Sequence, residues 1–439
     1  MQLQKIPVYA LLTASLITFA PRPAAADDLL SVYLLALEAD PQYQAAAAAH
    51  AAALETLPQS RATLLPGIAL TGNVSRDRFD PRTNDPATYA TNKTYTVQLR
   101  QALYQRERFV QLQQADSVIA QADAEFVAAQ QDLITRVATR YFLVLGGLDN
   151  QEFVKADKDA IARTLDQAQQ RFEVGLAAIT DTLEAQARYD LAISEEIEAG
   201  RLLDDTREAL RELTGQLPES PEILQDVIPL AAPEPASPDT WVTTALDQNP
   251  LMLAARAATE VARQEIQVQR SGHYPSVDMT ANYSYRDNRF GGIQDLKRND
   301  SAIGVELSLP LYQGGLVSSQ TRQSRHEFTQ AQEQQVQQHR ATEREARNNY
   351  RSVITGVSKV EALRQALRSN EKALEAAETG FEVGTRTIVD VLDAQRELLR
   401  ARRDHARERY NYLLDTLRLK QAAGILEQSD LEQINSLLN

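Results

Sequence analysis

The sequence predicts a mainly α-helical chain that also carries four amphipathic strands suited to a membrane β-barrel. Ala, Gln, Glu, Arg and Leu dominate and only 6% of the residues are aromatic, a composition typical of long helices and coiled coils. The chain repeats itself at an offset of about 209 residues. Each repeat contains two segments in which apolar and polar residues alternate, as they do along β-strands.

Composition and charge exclude several function classes. The 439 residues carry 46 basic and 60 acidic side chains, a formal charge of −14, which argues against nucleic acid as a partner. The chain has no cysteine, so disulfides, thiolate metal sites and a thiol nucleophile are excluded. The five histidines lack metal-ligand spacing, and no phosphate-binding loop or nucleophile elbow occurs. We therefore expect neither a cofactor nor a metal ion, and no enzyme activity.

The N-terminal residues have the pattern of a secretory signal. Met1–Lys5 carries a positive charge, Val8–Ala20 is apolar and Ala24–Ala26 supplies small residues at a cleavage position. The apolar stretch is shorter than the roughly 20 residues that a transmembrane helix requires. We predict cleavage after Ala26, with a retained membrane anchor as the alternative.

The internal duplication defines the domain organisation. Ala36–Pro41 matches Ala245–Pro250, and Phe172–Gly175 matches Phe381–Gly384. A constant offset over most of the chain indicates two copies of one structural unit. The expected segments are the signal peptide (1–26), the first repeat (27–217), a Pro-rich linker (218–238), the second repeat (239–424) and a C-terminal segment (425–439).

Each repeat is predicted to begin with a helix, followed by two strands, a very long helix, a turn and a returning helix. Apolar and polar residues alternate over four segments of about ten residues: Ile68–Ser75, Thr94–Leu103, Ser276–Arg286 and Ala302–Leu311. Four strands cannot close a barrel, and an open sheet edge is not viable in lipid. A barrel must therefore be shared, with eight strands from two chains or twelve from three. A soluble, half-buried sheet is the alternative.

Two segments have helical composition over about 65 residues, so each could extend about 100 Å. They are Arg106–Arg171 and Gly315–Gly380, and the returning helices are Asp181–Leu213 and Asp390–Ala423. A long soluble coiled coil is the simpler alternative, but it leaves the four strands unexplained. Heptad spacing predicts a seam near the far ends, formed by Ile161, Leu165, Ala168 and Phe172 in the first repeat and by Val360, Leu363, Leu367, Asn370, Leu374, Ala377 and Phe381 in the second.

Three motifs resemble the TolC family of outer-membrane channel-tunnels: Gly380–Asp393, Arg171–Asp181 and Ser308–Gly315. The resemblance extends over nearly all of Asp27–Asn439, including the duplication. It implies a homotrimer with a twelve-stranded β-barrel in the outer membrane, continuous with a twelve-helix α-barrel of coiled coils across the periplasm. The linker and the segment after Ala423 would supply a small mixed belt around the helices.

The resemblance also implies a function. Family members are passive exit ducts for proteins (type I secretion) or for drugs and other small molecules. They are recruited by a periplasmic adaptor (membrane fusion) protein and by an inner-membrane ABC or proton-driven transporter, and outer-membrane lipid surrounds their barrel. A non-conducting scaffold that spans the periplasm is the alternative. Alternating Thr, Asn, Ser and Asp on one strand face favours a water-filled lumen and therefore the duct.

The resemblance assigns a constriction to the helical tips that face the periplasm. Asp390 and Asp393 match two family aspartates, and three copies would form a ring of six carboxylates that favours cations. Helix capping is the alternative for an aspartate in a first helical turn. Gly175 and Gly384 match tip turns that contact the adaptor, and a left-handed C-cap is the alternative for these glycines.

A latch is the third feature that the resemblance implies. Arg386 matches an arginine that braces the closed tip against Asp181 and Thr180 of the other hairpin, and an Arg–carboxylate pair is a directional contact. Its counterpart in the first repeat is Ala177, which supports a special role. Phe381 stands where the best-known family pattern has a tyrosine that bonds to the aspartate. That bond cannot form here, so we expect the closed state to be held either less firmly or by other contacts. A solvated surface arginine is the alternative.

Overall fold

The structure, a computed structural model, describes residues 28–80, 87–217, 221–290 and 296–438. The predicted signal peptide lies outside the described residues, as do residues 81–86 and 291–295, which connect the two predicted strands of each repeat, and the first three residues of the predicted linker. Within the described ranges, helices and strands follow the same order in both halves of the chain.

The first half consists of three short helices, a β-hairpin, a very long helix and a returning helix. These are α1 (Leu29–Ala39), α2 (Pro41–Leu54), α3 (Thr56–Ala62), β1 (Gly67–Phe79), β2 (Thr88–Gln105), α4 (Arg106–Glu173) and α5 (Ile179–Thr214). Within the described chain, the second half has two α-helices before its β-hairpin instead of three, otherwise repeats this plan, and adds a C-terminal helix. Its elements are α6 (Pro238–Gln248), α7 (Pro250–Arg270), β3 (Ser276–Phe290), β4 (Leu296–Ser308), α8 (Leu316–Glu382), α9 (Ile388–Ala423) and α10 (Gln428–Asn435).

The four strands form one antiparallel sheet in the order β1-β2-β3-β4, with β2 and β3 joining the two repeats at its centre. The register aligns apolar residues into cross-strand rows on one face, such as Ile68, Leu99, Ala281 and Ile303. The opposite face carries polar rows, such as Thr71, Thr96, Ser284 and Asp300. Ile68 is 72% exposed and Ile303 is 79% exposed, so the apolar face has no cover within the described chain. The predicted alternation is confirmed.

The strand ends differ from the prediction in both directions. β2 has 18 residues and β3 has 15, because backbone pairing continues into the polar hairpin arms, where apolar alternation has stopped. In contrast, β4 ends at Ser308, so the prediction that Leu309 and Leu311 belong to the strand was wrong. Pro310 lies two residues beyond Ser308, and its ring nitrogen cannot donate to a ladder hydrogen bond.

The long helices have 68 and 67 residues, and each returning helix has 36. Near the tips, Ile161, Leu165 and Ala168 of α4 are buried in a cluster with Ile388 and Leu392 of α9. The predicted seam is therefore largely correct in the first repeat. Its last member is the exception, because Phe172 is 41% exposed and lies where the helix gives way to the turn.

The largest apolar cluster lies midway along the helical part. It contains Tyr141 of α4, Leu210 of α5 and Leu417 of α9, all almost completely buried. Leu224, after α5, forms a β-bridge with Leu438 after α10. The segment between the repeats and the C-terminal segment thus meet against this cluster, at the middle of the long helix α4 and near the C-terminal ends of the returning helices.

Among the helices in the described part of the chain, none is both long enough and apolar enough to cross a membrane.

Candidate functional site

The two helical hairpins end in matching tight turns. Gly175 has φ 76° and Gly384 has φ 77°, a left-handed conformation that a residue with a Cβ adopts only with strain. After Gly175, the Leu176 amide donates to the Arg171 carbonyl at 2.8 Å, and after Gly384 the Thr385 amide donates to the Gly380 carbonyl at 2.8 Å. These are the bonds of a Schellman cap. The left-handed C-cap interpretation is thus correct, and adaptor contact remains a prediction.

The start of α9 is capped by a reciprocal pair of hydrogen bonds. The Asp390 amide donates to Thr387 Oγ1 at 3.3 Å, and the Thr387 amide donates to Asp390 Oδ2 at 2.8 Å. The Thr387 backbone and hydroxyl hydrogen bonds lower the pKa of Asp390, so its carboxylate stays charged. Asp390 therefore has a capping role in the structure. The start of α5 differs, because its N-cap residue is Ala178, which has no side chain able to cap.

Arg386 lies just before this cap. Its Nη1 is 3.7 Å from Asp390 Oδ1 on the same hairpin. Thr180 Oγ1 lies 3.5 Å from Asp181 Oδ1 on the first hairpin. Within the described residues of this single chain, Arg386 forms no ion pair with Asp181. The structure therefore brings Arg386 to Asp390 and leaves the predicted Arg386–Asp181 latch unformed inside one chain.

Asp393 is held by two arginines. Arg396 Nη2 lies 3.2 Å from Asp393 Oδ1, and Arg188 Nη2 on α5 lies 3.3 Å from the same oxygen. Sequence reasoning missed Arg188. Helical spacing places Arg188 on the same face of α5 as Asp181, two turns further on, but it gives no indication of the partner on α9. The two arginines compensate the Asp393 charge more closely than Arg386 compensates that of Asp390.

Phe381 is in contact with the end of the other long helix. The Arg171 guanidinium carbon lies 4.3 Å from the centre of the Phe381 ring. Arg171 Nη1 donates to the Phe381 carbonyl at 3.0 Å and Nη2 donates to the Glu382 carbonyl at 3.3 Å. Arg171 was not among the predicted site residues. Only a comparison of the two repeats could have indicated Arg171, because the second repeat has a glycine, Gly380, at the corresponding position.

Apolar side chains surround the turns and face solvent. Leu176 is 79% exposed, and Val174, Leu183 and Val383 are similarly exposed. Such a patch is uncommon on a surface that remains in water. The tip therefore has the character of a contact surface for another protein.

A partly buried acidic group, Asp157 of α4, lies about five helical turns before the first tip. Burial and, to a smaller extent, the nearby charge of Glu195 raise the pKa of Asp157 to about 6, while Arg403 and Arg402 oppose the rise. Arg403 Nη2 lies 3.6 Å from Glu195 Oε2, so α4, α5 and α9 meet in one charged cluster. In the described ranges, no grouping of three or more His, Asp or Glu side chains could hold a metal ion.

Comparison with known proteins identifies the family of the chain. The family model described as "Outer membrane efflux protein" matches residues 32–216 and 241–425, one match for each repeat. The chain is 39% identical to the outer membrane protein TolC of Vibrio cholerae, over 94% of both chains. It is 30% identical to the alkaline protease secretion protein AprF of Pseudomonas aeruginosa, over 92% of this chain and 86% of AprF.

A solved structure shares the architecture. The outer membrane protein VceC of Vibrio cholerae superposes with a TM-score of 0.76 at 24% identity, over 91% of this chain and 97% of VceC. This likeness concerns the fold. The family match covers both repeats, and the two relatives align over nearly their whole length. The chain therefore belongs to the outer membrane efflux protein family.

Proposed function

We propose that three copies of the chain form a passive exit duct through the outer membrane and across the periplasm. The observation that carries the proposal is the four-stranded sheet, whose exposed apolar face and two unpaired edges stand at one end of helices about 100 Å long. Unpaired backbone groups are unfavourable in lipid. Three sheets joined edge to edge would form a closed barrel of twelve strands with a central conduit.

The helical tips are the end at which partners would dock. Exposed Leu176 and Val383 flank the turning glycines Gly175 and Gly384, and an apolar rim of this kind suits a periplasmic adaptor protein. The adaptor would join the duct to an inner-membrane ABC or proton-driven transporter. AprF is named for alkaline protease secretion, which supports export of proteins as one use of such a duct.

The tips also carry the proposed gate. Three copies of Asp390 and Asp393 would form a ring of carboxylates, and the low pKa of Asp390 keeps that group ionised. Arg386 is mostly exposed and its bond to Asp390 is long, so the side chain is free to reach Asp181 of a neighbouring copy. The closed state would hold that contact, and opening would break it as the α5 and α9 hairpins untwist.

A scaffold that tethers the outer membrane without conducting is the second candidate. The polar face of the sheet favours the duct, because its rows of Thr, Ser, Asn and Asp side chains suit a wet lumen. A tether has no need of such a surface.

Single-channel conductance in a planar bilayer tests the proposal, with the wild-type protein beside Arg386→Ser. We expect a trimer by light scattering and a small, cation-selective conductance that increases in the variant. An inserted trimer that conducts in neither form would favour the scaffold. Conductance that is the same in both proteins would support the duct and refute the latch.

A further inference from the structure

We propose that Arg171 is a clamp that ties the tip of the first hairpin to the tip of the second and so holds the constriction closed. The inference rests on the proposed duct and adds a positioning residue to its gate. The Arg171 guanidinium lies over the Phe381 ring at 4.3 Å and donates to the Phe381 and Glu382 carbonyls. One side chain of α4 thereby engages the last two residues of α8.

The carbonyl contacts have a clear physical basis. The last carbonyls of a helix have no intrahelical donor and lie at the negative end of the helix dipole, which favours a cation. The Phe381 carbonyl also accepts the Gly384 amide at 3.2 Å, so Arg171 uses its second lone pair. Because both carbonyls belong to the residues that precede the turn, the clamp fixes the position of the α8 tip itself.

The ring contact adds to the carbonyl contacts. A guanidinium over an aromatic face is attracted by the ring quadrupole, and Phe381 is partly buried against the tip cluster. Phenylalanine cannot make the hydrogen bond of the tyrosine in the family pattern, but it offers the same face to Arg171. The tip therefore has a contact between the two hairpins that does not depend on a phenolic hydroxyl.

The two repeats differ in a way that fits this arrangement. Arg171 corresponds to Gly380, and Arg386 corresponds to Ala177. A Cβ added at Gly380 would lie 2.6 Å from Cγ of Arg386, so the glycine makes room for the second arginine. Each hairpin thus contributes one tip arginine at a different position. Arg171 contacts the other hairpin, whereas Arg386 pairs with Asp390 of its own hairpin.

The test compares Arg171→Leu and Phe381→Leu with the conservative variants Arg171→Lys and Phe381→Tyr. Arg163→Leu is the matched control, because Arg163 is an exposed arginine two turns earlier on the same helix. We expect Arg171→Leu to raise the ratio of open to closed time about fivefold, the change expected for loss of one exposed cation–π contact with its hydrogen bonds. Phe381→Leu should raise the ratio less, because the backbone carbonyls of residues 381 and 382 still accept hydrogen bonds from Arg171. Phe381→Tyr should not raise the ratio, because it keeps the ring face and adds the hydroxyl of the family pattern, and Arg171→Lys should lie between wild type and Arg171→Leu.

A second readout is independent of conduction. Spin labels at Gln169→Cys and Glu378→Cys report the separation of the two helix ends by pulsed electron resonance, and the chain has no native cysteine to interfere. We expect a narrow distance distribution that broadens in Arg171→Leu and not in Arg163→Leu.

The outcomes separate the clamp from the duct. An unchanged distance distribution in Arg171→Leu overturns the clamp, whatever the conductance. A broadened distribution with wild-type gating overturns its role in the gate. If the inserted wild-type trimer does not conduct, the proposed duct fails, and the distance measurement alone decides whether Arg171 holds the tips together.

Discussion

Arg188 on α5 and Asp393 on α9 form an ion pair at 3.3 Å, so each repeat contributes one partner to a bond between the two returning helices. The pair lies two turns behind the tips. It places a positive charge next to one of the carboxylates proposed to line the constriction. The electrostatic character of the gate therefore depends on both repeats, not on the second alone.

Replacing Arg188 should make the constriction more cation-selective. Arg188→Gln removes the positive charge beside Asp393 and leaves its carboxylate with Arg396 as the nearest cation, so the local potential becomes more negative. The reversal potential in a salt gradient would measure the change. Arg201→Gln is the control, because Arg201 pairs with Glu198 and Asp205 of its own helix, well away from the tip. A control shift as large as that of Arg188→Gln would contradict the local explanation.

Asp390→Asn should reduce cation selectivity more than Asp393→Asn. Asparagine retains an oxygen that can accept the Thr387 amide, so the helix cap survives while the charge is lost. The Asp393 charge is already compensated by two arginines within 3.3 Å, whereas the single arginine near Asp390 lies 3.7 Å away. Reversal potentials of the two variants decide the point, and equal losses would show that the arginines do not screen Asp393.

Gly424→Ala should prevent correct folding, whereas Gly215→Ala should be tolerated. Both glycines end a returning helix with positive φ, which alone costs about 1 kcal/mol for alanine. A Cβ at Gly424 would also lie 2.4 Å from the Gln248 carbonyl oxygen, a backbone atom that cannot move aside. At Gly215 the nearest atom is the Ala39 Cβ at 3.8 Å. Thermal unfolding and the yield of trimer in membranes would measure the difference, and similar values for the two variants would argue against the clash.

The burial of Asp157 should make stability fall as the pH rises. Its pKa is about 6 in the folded chain against 3.8 in the reference state. The folded protein therefore binds a proton between about pH 4 and pH 6 that the unfolded chain has released, and stability decreases through that window. Asp157→Asn should remove this part of the pH dependence and stabilise the protein at neutral pH. The denaturant midpoints of wild type and variant at about pH 4 and about pH 6 measure the change in stability.

The matched control for this prediction is Asp159→Asn, at an exposed position two residues away on the same helix. It should keep the wild-type pH dependence. If Asp157→Asn also keeps it, the proton is taken up elsewhere in the protein.

Features encoded within a short stretch of chain were predictable from the sequence. The alternation that includes Ile68 and Ile303 identified the strands, and the paired glycines Gly175 and Gly384 identified the turns, because both depend on local backbone geometry. Arg171 and Arg188 were not found. Their partners lie on another hairpin, more than 200 residues away in the sequence, and only the packing of the two repeats brings them together.

The same distinction explains the error at the end of β4. Leu309 and Leu311 continue the apolar alternation, and pattern alone extends the strand through them. Pro310 lies between them and removes a backbone donor, so hydrogen bonding stops where the hydrophobic pattern does not. Periodicity describes which face a side chain occupies, whereas the strand ends where the backbone ladder ends.

The unpaired edges of the sheet have a genetic consequence. In a closed barrel, β1 of one copy pairs with β4 of the next. Every subunit therefore needs both of its edge strands to be able to pair. A variant in which one edge strand can no longer pair would still bind a neighbouring subunit through its other edge strand. The barrel of that trimer would then stay open. In a cell that produces both forms, most rings would contain at least one such subunit. Edge-strand alleles should therefore be dominant over the wild type, whereas loss of the whole chain should be recessive.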